Sequence, residues 1–174
     1  MNFFLELLKY TLPGLIVFLT AYFVLRQYLR HQEQMKLMEL KQNANAVTLP
    51  LKLQAYERLS LFCERISIRS LILRLNQPGM NTQALRYAML ISIQKEFEHN
   101  ITQQMYISEQ LWKIIKIASD QVVDTINLIS SRIGNDSPSE VFVESYYKFS
   151  EELKFDSLEK ALAAIKQEAA LLLA

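Results

Sequence analysis

The first 25 residues are apolar on nearly every side of a helix, which sets them apart from the rest of the chain. Their uncharged part, Tyr10–Leu25, has 16 residues. As a helix it covers about 24 Å, and the turns back to Phe3 extend it to the roughly 30 Å of a bilayer's hydrocarbon core. A signal peptide and a buried core helix are the alternatives, but no small-residue cleavage motif follows the run, and soluble core helices are seldom apolar all round. The pattern predicts a transmembrane anchor over residues 1–25.

Basic residues are concentrated on one side of this predicted anchor. Only Lys9 precedes the uncharged run, whereas four basic residues follow it closely: Arg26, Arg30, Lys36 and Lys41. The positive-inside rule then places the N-terminus outside and the bulk of the chain in the cytoplasm, as in a single-pass protein of the inner (cytoplasmic) membrane in contact with membrane lipid. Residues 26–47 are rich in good helix formers, so we expect a juxtamembrane helical stalk that ends before Pro50.

The pattern beyond the stalk predicts a cytoplasmic helical domain over residues 48–174. A long helix is expected over Leu51–Asn76, with apolar residues at positions 55, 59, 62, 66 and 73 and a wider face from positions 61, 68, 72 and 75. Pro78 and Gly79 form a turn signal, and a second helix is expected over Thr82–His99. The pattern of residues 101–107 fits both a loop and a continuing helix.

The next helix has the most regular pattern in the chain. Ser108 is suited to cap it, Gly134 is expected to end it, and its apolar residues lie at positions 111, 115, 118, 122, 126, 129 and 133. Ser137–Glu140 has the form of a capping box with Pro138 as the first helical residue, and a last helix is expected from Asp156. The expected fold class is all-α, with an N-terminal transmembrane helix, a helical stalk and a cytoplasmic bundle of about five helices.

Composition removes several classes of protein. The chain of 174 residues contains three Gly and four Pro, too few for a collagen-like or turn-rich all-β protein, and its hydrophobic fraction of 51% is too high for a disordered one. The single cysteine, Cys63, rules out an internal disulfide and a cysteine-based zinc site, and we expect it to be a small core residue. With only two histidines, most histidine-built metal sites are excluded for one chain as well.

Charge is nearly balanced overall but unevenly distributed. Residues 26–86 carry 10 basic and 4 acidic residues, whereas residues 87–174 carry 8 basic and 13 acidic ones. Arg58, Arg65 and Arg69 are spaced seven and four residues apart, which predicts a basic stripe on the first long helix. We expect this stripe to contact a membrane surface or a protein partner. A nucleic acid is disfavoured because Glu57 and Glu64 interrupt the stripe and no binding motif accompanies it.

One pair of residues has a spacing used in metal chemistry. Glu96 and His99 form a Glu-x-x-His motif, with which carboxylate-bridged di-iron bundles direct both side chains at one metal pair. Such a site needs a second motif and two further carboxylates, which a symmetric dimer could supply. We prefer a structural interpretation, with His99 near a helix end and Glu96 paired with the basic stripe. No catalytic residue, metal ligand or cofactor is therefore predicted.

The segments LPLKLQAYERLSLFCERI (49–66) and KEFEHNITQQMYIS (95–108) resemble a family of single-pass membrane proteins from Bacteroidota. The resemblance extends over roughly residues 1–127. It implies the same layout of anchor, stalk and cytoplasmic helices, and it implies no particular activity, substrate or site residue.

These patterns together favour a non-enzymatic, membrane-anchored interaction protein. We expect it to be an accessory subunit of an inner-membrane complex or a homo-oligomeric scaffold, because its helices are more apolar than a small core can bury. The expected contact combines the three arginines of the stripe with Tyr87, Leu90 and Ile91. The alternatives are a dimeric metal-dependent enzyme using Glu96 and His99, and recruitment of RNA or a ribosome to the membrane through the arginines.

Overall fold

The computed structural model describes residues 2–152 and 157–173, and every regular element within them is helical. The elements are α1 (Asn2–Ile66), α2 (Ile68–Leu75), α3 (Thr82–Asn100), a 3₁₀ helix (Ile101–Tyr106), α4 (Glu109–Ser131), α5 (Ser139–Glu152) and α6 (Ser157–Leu173). The all-α fold class is confirmed. The chain divides into two compact units, unit 1 (residues 1–49) and unit 2 (residues 50–174).

Unit 1 consists of the first part of α1. Every described side chain from Leu12 to Thr48 is exposed, so none of them packs into a core. Helix α1 stays helical through Pro50, so no break in the helix marks the predicted boundary between stalk and helical domain. Proline removes one backbone hydrogen bond from a helix, and good helix formers such as Leu49 and Leu51 continue α1 on both sides of it.

Unit 2 begins with the last turns of α1, which bury the predicted face Ala55, Leu59, Phe62 and Ile66. The expected continuous helix to Asn76 is wrong, because the backbone becomes extended at Ser67, with φ −59° and ψ 137°. The Ser67 hydroxyl accepts a hydrogen bond from the Ser70 N–H at 3.3 Å and so caps α2.

This break changes which residues of α2 are buried. Leu73 was expected on the buried face but is 74% exposed, and Leu61, on α1, is 55% exposed. Helix α2 instead directs three residues into the core: Ile68, Leu71 and Ile72. A new helix start at Ser67 rotates the following residues relative to α1, which explains why one continuous helical pattern misplaces Leu73.

Helices α3 and α4 follow their predicted patterns most closely. Helix α3 agrees with its expected bounds to within one residue, and residues 101–106 form the 3₁₀ helix. In α4, six of the seven expected positions are buried, and Ile133 is partly buried. The expected cap at Gly134 is wrong, because α4 ends at Ser131 with Arg132 as its C-cap. Among the described residues, only Gly79 has the positive φ, 78°, that a left-handed cap needs.

Two turns of unit 2 are joined by backbone hydrogen bonds. The Thr82 N–H donates to the Ser137 carbonyl at 2.8 Å, and the Ser139 N–H donates to the Met80 carbonyl at 2.9 Å. Pro138 takes part in this bridge, and α5 therefore begins at Ser139, one residue later than expected. The bridge fixes the start of α5 against the start of α3.

Aromatic side chains from three helices meet in the core of unit 2. The ring centroids of Phe62 (α1) and Phe97 (α3) are 6.3 Å apart, and those of Phe97 and Trp112 (α4) are 5.6 Å apart. Helix α6 packs on α4 and buries Ala161 and Ile165. The expected start of this last helix at Asp156 lies outside the described residues.

Candidate interaction surface

Helix α3 carries apolar residues on the side that faces away from the core. Leu85 and Met89 are fully buried on the inner side, whereas Tyr87 and Ile91, one turn apart, are 51% and 54% exposed. Leu90 is half-buried beside them and packs against the core. We call Tyr87, Leu90 and Ile91 the α3 face. The structure thus brings these three predicted interaction residues together on one helix.

Arg86 holds the Tyr87 ring of the α3 face in place. Its guanidinium carbon lies 5.7 Å from the centroid of the Tyr87 ring, a cation–π distance. Its Nε also donates a hydrogen bond at 2.9 Å to Oδ1 of Asn127 on α4. Arg86 thus contacts both the Tyr87 ring and the side chain of Asn127 on α4.

The three arginines of the predicted stripe do not share one helix. Arg58 and Arg65 lie on α1, whereas Arg69 follows the break at Ser67 and lies on α2. The Arg65 Nε contacts Oε1 of Glu96 at 2.7 Å, so part of the positive charge is neutralised within the chain. The expectation of one basic stripe on a long helix is therefore wrong, and the same break that exposes Leu73 is the reason.

Arg74 completes this ion pair at the end of α1. Its Nη2 donates a hydrogen bond at 2.7 Å to the carbonyl of Arg65, one of the carbonyls that the end of α1 leaves without a helical partner. Its Nη1 lies 4.0 Å from Oε1 of Glu96. The predicted pairing of Glu96 with an arginine is confirmed, whereas the contact with Arg74 depends on the break at Ser67 and has no signal in the sequence pattern.

Glu96 and His99 line one shallow cleft of about 240 Å³ together with the arginines Arg58 and Arg65. Positive groups beside a carboxylate oppose the binding of a cation there. Glu96 is held by Arg65, whereas His99 is exposed at the end of α3. Among the described residues, no three His, Cys, Asp or Glu side chains are grouped as metal binding requires. Within one chain, the described residues of this cleft thus form an ion pair between α1 and α3.

A second polar cluster, which sequence reasoning missed, joins α1, α4 and α6. Glu168 on α6 accepts hydrogen bonds from the Ser108 N–H at 2.9 Å and from the Tyr56 hydroxyl at 3.1 Å. The Ser108 hydroxyl donates to the other carboxylate oxygen of Glu168 and accepts from the Leu111 N–H at 3.1 Å. In a capping box, a glutamate at position 111 would accept the hydrogen bond from the Ser108 N–H. Here Glu168 on α6 accepts it instead.

The environment of this cluster keeps the Tyr56 phenol protonated. Burial raises the pKa of Tyr56 to about 12, and the negative charge and hydrogen bond of Glu168 add to the effect. Tyr56 consequently acts as a hydrogen-bond donor to Glu168 and is not a nucleophile at neutral pH. A cleft of about 430 Å³ beside the cluster is lined in part by Lys52, Met105 and Leu171.

Cys63 is buried, as expected of a small core residue, at the edge of a cleft of about 580 Å³. Burial raises the pKa of its thiol to about 12, and the neighbouring Glu64 carboxylate adds to the shift. In the native protein at pH 8 we expect Cys63 to react with a disulfide reagent about 100-fold more slowly than in urea. Time courses of thiol modification check this.

The matched control is a Leu61→Cys variant in a Cys63→Ser background. Leu61 lies two residues away on the same helix and is exposed, so its replacement is expected to react at the rate of a free thiol. Equal rates for native Cys63 and the Leu61→Cys thiol would show that the environment of Cys63 is open to solvent.

Comparison with known proteins yields one match. A family model described as a family of unknown function, DUF7935, matches residues 2–172, which include most of both units and all of the α3 face. No curated protein and no solved structure matches the chain.

Proposed function

The chain belongs to the family of unknown function DUF7935, and we propose that it is a membrane-anchored, non-enzymatic interaction protein. Unit 2 would dock onto a protein partner, as an accessory subunit of an inner-membrane complex or as a homo-oligomeric scaffold. The proposal includes a single membrane-spanning helix with unit 2 in the cytoplasm, the layout of the Bacteroidota membrane proteins that the sequence resembles. The exposed pair Tyr87 and Ile91 on an otherwise well-packed helix is the observation that carries it.

The anchor is supported by the exposure and composition of α1. Among the described residues, it is the one helix long and apolar enough to cross a membrane, and none of its apolar window is buried in the protein. A signal sequence near the N-terminus passes the same test, so length and composition alone do not decide between the two. Two further features favour an anchor: basic residues follow the apolar run closely, and no cleavage motif does.

The partner contact is supported by the character of the α3 face. An exposed tyrosine and isoleucine one turn apart, with an arginine over the aromatic ring, combine residue types enriched at protein interfaces. Core packing does not require this exposure, because Leu85 and Met89 already fill the inner side of α3. The alternatives gain less support, since Glu96 is held by Arg65 and the arginines are divided between two helices.

Affinity purification of the full-length protein from its own membranes in mild detergent tests this proposal. A double variant, Tyr87→Ser with Ile91→Ser, is expected to lose about tenfold or more of whatever protein co-purifies with the wild type at a fixed ratio. A Leu73→Ser variant removes an even more exposed apolar residue from α2 and is expected to retain the co-purifying protein.

Two results would overturn the proposal. The first is the same co-purifying species, at the same ratio, in the wild type and in the double variant. The second is recovery of the chain in the soluble fraction when membranes are sedimented, because an anchored protein sediments with them.

A further inference from the structure

The part of α1 that follows the apolar run carries a second unpartnered surface. Arg30, Glu33, Leu37, Leu40 and Val47 occur at spacings of three, four, three and seven residues, and the seam position between Leu40 and Val47 is residue 44, an alanine in the sequence. This is the alternating three–four spacing of a heptad seam, which faces another helix in a coiled coil. We call these five residues the α1 seam.

All five residues of the α1 seam are exposed, and each of the three apolar ones is more than half exposed. Lipid cannot cover them if the membrane span ends near Leu25, because the seam begins five residues later. A lone helix in water with an apolar stripe gains little stability from its own backbone. A second helix on the seam would remove that stripe from water.

The charged residues of the α1 seam indicate which helix packs against it. The ion pairs among the described residues all involve residues from Arg65 onward, so Arg30 and Glu33 have no ion-pair partner in that part of the chain. In two parallel copies at the same height, Arg30 of one copy lies about 4.5 Å along the axis from Glu33 of the other. Two symmetric ion pairs can then form, and neither charge is left alone in the seam.

We propose that the α1 seam pairs two copies of this chain as a parallel, in-register coiled coil. The proposal rests on the membrane anchor proposed above, because copies anchored in one membrane leave it in the same direction and at the same height. Leu37, Leu40 and Val47 then meet their own counterparts, as seam positions do in two-stranded coiled coils.

Two lysines flank the seam and make its orientation testable. In the heptad register Lys36 precedes Leu37 and Lys41 follows Leu40, so each Lys36 faces Lys41 of the second copy across a parallel pair. The repulsion between these like charges weakens the association of the two helices. Replacing Lys36 by glutamate converts both repulsions into attractions in the parallel, in-register arrangement, whereas in a misaligned arrangement it has no such effect.

Cysteine cross-linking of the full-length protein in its own membranes tests this pairing. Under mild oxidation, Leu40→Cys and Val47→Cys are expected to form roughly tenfold more covalent dimer than Glu39→Cys, which lies outside the seam, because disulfides need closely apposed Cβ atoms. The wild type is the matched control, since its only cysteine, Cys63, is buried. Added to Leu40→Cys, Lys36→Glu is expected to raise the dimer association about fivefold, and Lys36→Gln by less.

Equal cross-linking at Leu40→Cys and Glu39→Cys, or a Lys36→Glu variant that pairs no better than the wild-type sequence, would overturn the seam. Sedimentation of the same membranes separates this failure from that of the proposed function. If the chain sediments with them and the α3 double variant still loses its partner, a negative cross-linking result refutes the seam alone. If the chain is soluble, the anchor fails and the seam loses its basis.

Discussion

Truncating Phe62 to alanine is expected to lower the free energy of unfolding of unit 2 by about 3–5 kcal/mol. Phe62 is 1% exposed, and its ring lies against Phe97, which in turn contacts Trp112. The truncation removes buried apolar area and leaves a cavity where α1, α3 and α4 meet, and the surrounding helices can fill it only in part. Urea denaturation in mild detergent, followed by tryptophan fluorescence, measures the change.

The chain offers its own reporter and control for this measurement. Trp112 is the only tryptophan, so the fluorescence change reports on the packing of unit 2. Leu61→Ala changes the neighbouring residue on α1, which is mostly exposed, and is expected to shift stability by about 0.5 kcal/mol or less. If Phe62→Ala and Leu61→Ala had the same unfolding midpoint, the aromatic contact between the three helices would not stabilise the unit.

Replacing Glu168 by alanine is expected to lower the free energy of unfolding by about 1–3 kcal/mol, the second-largest effect among these variants. Three hydrogen bonds end on this carboxylate, from the Ser108 N–H, the Ser108 hydroxyl and the Tyr56 phenol. Removing it leaves the hydroxyl of Tyr56, a residue only 6% exposed, without its acceptor, whereas water can replace the carboxylate at the exposed Ser108 N–H. The same urea titration measures the loss.

Two further variants test whether the loss comes from this cluster. Tyr56→Phe removes one of the three hydrogen bonds and is expected to cost about 1 kcal/mol. Glu144→Ala breaks an exposed pair with Lys148 on α5 and is expected to leave the midpoint unchanged. A Glu168→Ala variant as stable as Glu144→Ala would show that Glu168 is solvated and does not link the three helices.

Helix α4 shows what the sequence pattern predicts well. Its N-cap, Ser108, and its six buried positions follow from local chemistry, since a capping hydroxyl and a 3.6-residue period need only neighbouring residues to be recognised. The predicted C-terminal end of α4 is wrong because it also relied on a local signal alone. Gly134 is a typical terminator, but the bridge between the turns at Met80 and Ser139 draws the chain away from the helix before the glycine is reached.

The break between α1 and α2 shows where local pattern fails. No glycine or proline marks Ser67, and the apolar residues on both sides fit one continuous helix. The contacts that accompany the break come from elsewhere: Arg74 reaches back to the Arg65 carbonyl, and Glu96 on α3 holds the Arg65 side chain. Because those contacts form only in the folded unit, the basic stripe and the exposure of Leu73 could not be predicted correctly.

Glu168 was missed because its partners are distant in sequence. Ser108 is 60 residues away and Tyr56 is 112 residues away. A capping box normally carries its glutamate three residues after the serine, where the sequence has Leu111. The absence of that glutamate leaves the cap incomplete, but it does not show which element supplies the missing carboxylate. Tyr87, Leu90 and Ile91 lie on one helix, as the local pattern predicts, and their role in binding stays a prediction.

The link between Tyr56 and Glu168 also determines when unit 2 can finish folding. Ribosomes add about 5–20 residues per second, so a newly made Tyr56 waits on the order of 10 s for its acceptor. Contacts this distant in sequence form slowly and late. Until then the Tyr56 hydroxyl on α1 lacks its acceptor. A premature stop codon at or before Glu168 would leave the Tyr56 hydroxyl without this acceptor permanently.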